Sequence, residues 1–181
     1  MKRLLAGIAL AALAAAPAYA AIKVGDKAPD FTAQASQAGK PFTYSLKAQL
    51  KKGPVVLYFY PAAFTSGCNI EAHEFAEATD QYKALGATVI GVSHDGIDKL
   101  NQFSADTRYC SGKFPVAADP TGTVIKSYDA VLAIKPEYAN RTSYVIAPNG
   151  KVIYEYTSMD PSKHVENTMA ALKAWKAGGK S

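Results

Sequence analysis

Tyr58-Phe59-Tyr60-Pro61-Ala62-Ala63-Phe64-Thr65-Ser66-Gly67-Cys68-Asn69-Ile70-Glu71 is the stretch that decides how the chain is read. An apolar run, Val55 to Tyr60, stops at Pro61; a short loop follows, and Cys68 opens a segment with helical periodicity. A helix start leaves backbone N–H groups unpaired and carries the positive end of the helix dipole, so it favours negative charge on a sulfur held there. Thiolate is the nucleophilic form of cysteine, which makes Cys68 a candidate for chemistry. The alternative is a buried structural thiol that acts as a small apolar residue.

Outward from this stretch the pattern alternates between strand and helix. Pro54 to Tyr60 is almost continuous in Val, Leu, Tyr and Phe, as expected of a central strand buried on both faces. From Ser66 to Leu85 the apolar positions Phe75, Ala78, Tyr82 and Leu85 fall at helical intervals, and Gly86 ends the run. Thr88 to Ser93 is a second buried strand, so a strand, a crossover helix and a parallel strand are predicted. Upstream, Phe31 to Ala35 and Pro41 to Tyr44 flank Gln37-Ala38-Gly39-Lys40 as a hairpin, and Ser45 to Leu50 makes one helical turn. Downstream, a helix is predicted over Ile97 to Tyr109 with Cys110 at or just past its end, then a short strand over Phe114 to Ala118 and a short helix over Pro120 to Tyr128. An irregular link from Ala130 to Asn140 leads to a hairpin, Thr142 to Ala147 and Val152 to Tyr156, around Pro148-Asn149-Gly150-Lys151. Asp160-Pro161 starts a last helix, with Val165, Met169, Leu172 and Trp175 on its apolar face. The pattern is that of an α/β protein with helices on both faces of a mixed sheet, and periodicity alone permits several three-layer folds.

The spacing Pro61-x-x-x-Thr65-x-x-Cys68 resembles the active-site signature of the peroxiredoxins (AhpC/TSA family). Thr65-Ser66-Gly67-Cys68 followed by Glu71 is most similar to the bacterioferritin-comigratory or PrxQ type, which usually has proline where Ser66 stands and threonine where Asn69 stands. Gly25 to Phe31, reading Gly-Asp-x-Ala-Pro-x-Phe, resembles the family's opening. The resemblance implies a thioredoxin-like three-layer sandwich with a mixed central sheet and an N-terminal hairpin. It also implies a thiol-dependent peroxidase acting on hydrogen peroxide or small alkyl hydroperoxides, without metal or organic cofactor, reduced by a thioredoxin-like donor and monomeric.

By the same resemblance Cys68 is the nucleophile and Pro61 shapes and shields the pocket. The Gly67 and Cys68 N–H groups face the substrate. Thr65 offers its hydroxyl there, although at a helix start it can instead be only the N-cap. Glu71 resembles the family's glutamate that orients an arginine, its other reading being a first-turn acid favoured by the dipole. Arg141-Thr-Ser-Tyr-Val-Ile resembles the family's Arg-x-x-Phe-x-Ile segment, so Arg141 is expected over Cys68 in preference to Arg108. Many PrxQ-type proteins carry a resolving cysteine five residues after the first, where this chain has His73. Tyr109 to Pro115 resembles the segment that carries the resolving thiol in other members, which assigns that role to Cys110 through an intramolecular disulfide. Two readings stand beside it: a one-cysteine peroxidase with Cys110 idle, and a non-catalytic exported protein stapled by a structural disulfide.

Composition bounds the remaining possibilities. The chain has 181 residues, 49% of them hydrophobic, enough for one domain with a single sizeable core. Lys2 and Arg3, the apolar run Leu4 to Ala16, and Ala18-Tyr19-Ala20 read as a cleaved signal peptide over residues 1–20, leaving a domain over 21–181 and a periplasmic location. An uncleaved anchor is the alternative, but the run falls short of the roughly 20 residues that span a bilayer. The formal charge of +5 becomes +3 once Lys2 and Arg3 leave, and the remaining lysines are dispersed, so neither nucleic acid nor, after cleavage, a membrane is an expected partner. His73, His94 and His164 show no ligand-like spacing, so no metal site is expected. No C-x-x-C occurs, against a thioredoxin-type disulfide exchanger.

Overall fold

The computed structural model describes residues 22–179, and the expected leader with its cleavage site lies outside them. Seven strands form one mixed sheet in the order β2-β1-β5-β4-β3-β6-β7. They are β1 (Thr32–Gln37), β2 (Lys40–Ser45), β3 (Val55–Phe59), β4 (Thr88–Ser93), β5 (Val116–Ala118), β6 (Thr142–Ile146) and β7 (Val152–Thr157). The helices are α1 (Leu46–Leu50), α2 (Ser66–Ala84), α3 (Ile97–Ala105), α4 (Thr123–Ser127) and α5 (His164–Ala177).

The first hairpin closes through Ala38 and Gly39, both at positive φ (50° and 75°), the two-residue geometry whose twist matches the strands it joins. β3 is buried along its whole length, and its side chains divide by pleat. Val56 and Tyr58 join a core with Phe75, Tyr82, Leu100, Phe103 and Leu172, from α2, α3 and α5. Val55, Leu57 and Phe59 join the opposite core with Leu46, Leu50, Val124 and Ile125, from α1 and α4. This is the thioredoxin-like three-layer arrangement. Tyr58 lies so close over β4 that a β-carbon on Gly91 would stand 2.7 Å from its ring, so only glycine fits beneath it.

β3 pairs in parallel with β4 and antiparallel with β6, as expected for a strand followed by a crossover helix and flanked by the returning hairpin. Register then sets the site. Phe59 pairs with both Val92 of β4 and Thr142 of β6, so the loop after β3, the Ser93–Asp95 end of β4 and Arg141 all lie at one end of the sheet.

The strand and helix expected over Phe114–Ala118 and Pro120–Tyr128 are shorter, Val116–Ala118 and Thr123–Ser127, and two further boundaries differ nearer the site. α3 ends at Ala105, four residues early, because Asp106 turns extended (φ −64°, ψ 118°) and its carboxylate accepts hydrogen bonds from the backbone N–H and the side chain of Arg108. Residues 106–112 form a compact turn instead, with Ser111 and Gly112 at positive φ. At the last helix, Asp160 caps not α5 itself but a preceding 3₁₀ turn, Pro161–Lys163, accepting from the Ser162 N–H at 3.0 Å.

Candidate active site

Cys68 is the third residue of α2 and almost fully buried, 1% exposed. The Asn69 N–H already bonds the Thr65 carbonyl at 2.8 Å, whereas Ser66, Gly67 and Cys68 precede any intrahelical partner, so the sulfur sits where orphan donors and the helix dipole meet. The loop that presents the helix is anchored from β4. The Asp95 carboxylate accepts from the Ala63 N–H at 2.7 Å and from the Ser93 hydroxyl at 2.9 Å. Between Ala63 and Thr65, Phe64 holds a left-handed backbone (φ 66°) and packs its ring edge-on against Phe103 and Tyr109. A non-glycine residue in this region is strained, and the surrounding packing holds it there.

Arg141 is buried and held on every polar side. Nε donates to the Met159 carbonyl at 3.1 Å, Nη1 to Glu71 Oε2, and Nη2 points to Cys68 Sγ at 3.6 Å. Burial pulls the guanidinium down, but the charges of Glu71 and Cys68 outweigh it and the net direction is up, so Arg141 stays cationic. Burial raises the Glu71 carboxyl above the ordinary carboxylate range, against the opposing pull of Arg141. One guanidinium thus faces both a carboxyl and a sulfur. Gly67 makes the approach possible: a β-carbon there would stand 3.0 Å from Arg141 Nη2.

Thr65 occupies the N-cap position, but its side chain makes no cap bond. The hydroxyl donates to the Ala62 carbonyl at 2.9 Å, which leaves its lone pairs free to accept a proton-bearing oxygen from a bound molecule. Pro61 is half-buried where the chain leaves β3. Arg108 instead lies exposed, paired with Asp106 and stacked on Tyr109. Cys110 is buried in the turn after α3, and burial, with a smaller effect of Asp106, pushes its thiol far up. The two cysteines are separate thiols.

A family model described as AhpC/TSA matches residues 24–155. The chain belongs to the AhpC/TSA family. Among its relatives, this peroxiredoxin is 35% identical over 157 residues to chloroplastic peroxiredoxin Q of Arabidopsis thaliana, covering 86% of this chain and 69% of that one. It is 30% identical over 159 residues to chloroplastic peroxiredoxin Q of Sedum lineare, covering 87% and 82%. Of solved structures, the peroxidoxin BcpB of Mycobacterium tuberculosis superposes with a TM-score of 0.73 at 32% identity, over 84% of this chain and 97% of that one. The PrxQ of Xylella fastidiosa shares the fold, with a TM-score of 0.76 at 24% identity over 87% and 99%. The bacterioferritin-comigratory or PrxQ resemblance and the thioredoxin-like fold both hold, and the chain is a peroxidase of the thiol-dependent kind.

Two polar groups at the site were not singled out by sequence reasoning. Asp95, which ties the loop to β4, follows the carboxyl end of that central strand, where ligand sites collect, and that position was the available signal. His164 had none, since spacing along the chain gives no sign that it packs against Glu71.

Proposed function

We propose that this peroxiredoxin reduces hydrogen peroxide and small organic hydroperoxides through Cys68, with Cys110 as the resolving thiol. The observation that carries the reading is Arg141 Nη2 at 3.6 Å from Cys68 Sγ, on a sulfur already at a helix N-terminus. The Cys68 thiolate attacks one peroxide oxygen and the O–O bond breaks. Cysteine is oxidised to sulfenic acid, and the departing oxygen leaves as water or alcohol after taking a proton. The Gly67 and Cys68 N–H groups, the Arg141 guanidinium and the Thr65 hydroxyl are the groups that hold the peroxide and spread the developing charge, while Pro61 limits water. Glu71 aims the guanidinium. The Cys110 thiolate then attacks the Cys68 sulfur, water leaves and a disulfide forms; two electrons from a thioredoxin-like dithiol restore both thiols. Export to the periplasm, with cleavage after Ala20, and a monomeric state belong to the same reading, on the strength of the leader-like first 20 residues and the family resemblance.

The deep burial and raised thiol of Cys110 favour a second reading, the one-cysteine peroxidase. Peptide-mapping mass spectrometry after one equivalent of hydrogen peroxide separates the two. The expected product is a single peptide pair joined through Cys68 and Cys110, with the mass of two hydrogens lost. Sulfenic acid on Cys68, trapped as its dimedone adduct, beside a free Cys110 thiol establishes the second reading, and an unmodified Cys68 removes both.

A further inference from the structure

His164, the first residue of α5, is fully buried at the back of the site, and the peroxidase chemistry above makes no use of it. Its two ring nitrogens can be assigned. Nε2 lies 2.9 Å from the Ser158 carbonyl, which can only accept, so Nε2 carries a proton. Nδ1 lies 2.8 Å from the Ser143 hydroxyl; burial disfavours the charged ring, and with the proton on Nε2 the neutral form accepts there from Ser143. Both nitrogens are therefore tethered, one to β6 and one to the segment after β7. The Tyr156 ring stands edge-on to the imidazole at 4.9 Å between centroids.

So fixed, Nδ1 stands 3.6 Å from Glu71 Oε1, a buried oxygen that finds no hydrogen-bond donor among the described residues. The other oxygen of that carboxyl is the one engaged by Arg141. The segment that tethers His164 also holds the arginine: the Ser158 N–H bonds the Arg141 carbonyl at 3.1 Å, and the Met159 carbonyl accepts from Arg141 Nε.

We infer that His164 is a positioning residue for peroxide reduction: its imidazole, tethered to Ser143 and Ser158, backs the free oxygen of Glu71, so that the carboxyl keeps its other oxygen on Arg141 and Arg141 keeps Nη2 on Cys68. A carboxyl side chain pivots freely about its last bonds unless something occupies the space behind it. Without the ring, Glu71 can swing back, and the guanidinium is left with one fewer restraint on the fork that faces the sulfur. Misplacing a catalytic group by about an ångström costs up to about a hundredfold in rate.

The inference rests on the Cys68 peroxidase reading, and the experiment separates the two. The second-order rate constant for oxidation of Cys68 by hydrogen peroxide is measured under single-turnover conditions for wild type, His164→Leu, Glu71→Gln and the double variant, each checked for cooperative unfolding. The expected result is a fall of about ten- to a hundredfold for His164→Leu. Adding it to Glu71→Gln should produce little further loss, because both changes act through one carboxyl. A role confined to packing would leave the rate constant of a folded variant unchanged, or would make the two effects multiply, and either result overturns the inference. If His164→Leu does not fold, His164→Asn serves in its place: it keeps an acceptor for Ser143, is too short to reach the Ser158 carbonyl as Nε2 does, and is held to the same two outcomes. Failure of peroxide to oxidise Cys68 in the wild type removes the peroxidase reading and this inference with it. A wild type whose Cys68 is oxidised beside an equally fast His164→Leu removes this inference alone.

Discussion

A methyl group on Gly67 would meet Arg141 Nη2 at 3.0 Å, which puts a single β-carbon in the path of the cation that faces Cys68. In Gly67→Ala, Cys68 oxidation should therefore slow about tenfold through the displaced guanidinium while the protein still unfolds cooperatively. An unchanged oxidation rate would mean that the arginine contact contributes nothing at the sulfur. His164 gives a second prediction at this scale. Burial depresses its imidazole from 6.5 to about 4 in the folded protein, helped by Arg141 and opposed by the hydrogen bond to Ser158 and by Asp160. Between those two values the unfolded chain binds a proton that the folded one does not, so this contribution to stability is complete above about pH 6.5 and is lost as pH falls toward 4. The fall from 6.5 to about 4 corresponds to a loss on the order of 3 kcal/mol. Denaturant midpoints at pH 7.5 and 4.5 should converge in His164→Asn relative to wild type; equal acid sensitivity in the two proteins would contradict the assignment. At the residue scale, Cys68, Thr65, Glu71 and Arg141 were visible in the sequence because three of them share one short segment and the fourth opens a strand. His164 was not, because its contacts to Ser143, Ser158 and Glu71 arise only when β6, the end of β7 and α2 are packed together.

Strands and long helices were well marked in the sequence, since β3 and α2 are set by continuous burial and a sustained period. The end of α3 was masked because Thr107 to Tyr109 extend a plausible helical pattern, while the Asp106 contacts that break it depend on a side chain curling onto its own backbone. That break is consequential. It places Cys110 in a turn tied by backbone bonds from Ser111 to Asp106 and from Gly112 to Ser104, with two positive φ angles, rather than on a helix continuous with the core. Disulfide formation needs Cα atoms within about 7 Å, and a buried thiol with a raised pKa must first gain solvent. The turn 106–112 and the first turn of α2 should therefore open together on oxidation. Amide hydrogen exchange compared between reduced and peroxide-treated protein is expected to rise in those two segments and stay constant along β3 and β4. Exchange that is identical in both states would contradict a resolving role for Cys110.

At the scale of the whole molecule, the sheet is a device for assembling distant residues at one end. The pairing of Phe59 with Val92 on one side and Thr142 on the other brings the ends of three strands level, and the two cores clamp them there. The three-layer arrangement was legible from alternating strands and helices, but choosing the thioredoxin-like member needed the Pro61 to Cys68 signature, because burial patterns do not encode strand order. In the proposed function the assembly serves one sulfur, and the rate of peroxide consumption with a small dithiol as reductant tests that directly in wild type, Cys68→Ser and Cys110→Ser. Sustained consumption by wild type is predicted, with Cys68→Ser no faster than reductant alone and Cys110→Ser slowing as Cys68 becomes over-oxidised. Consumption by Cys68→Ser at the wild-type rate would contradict the account.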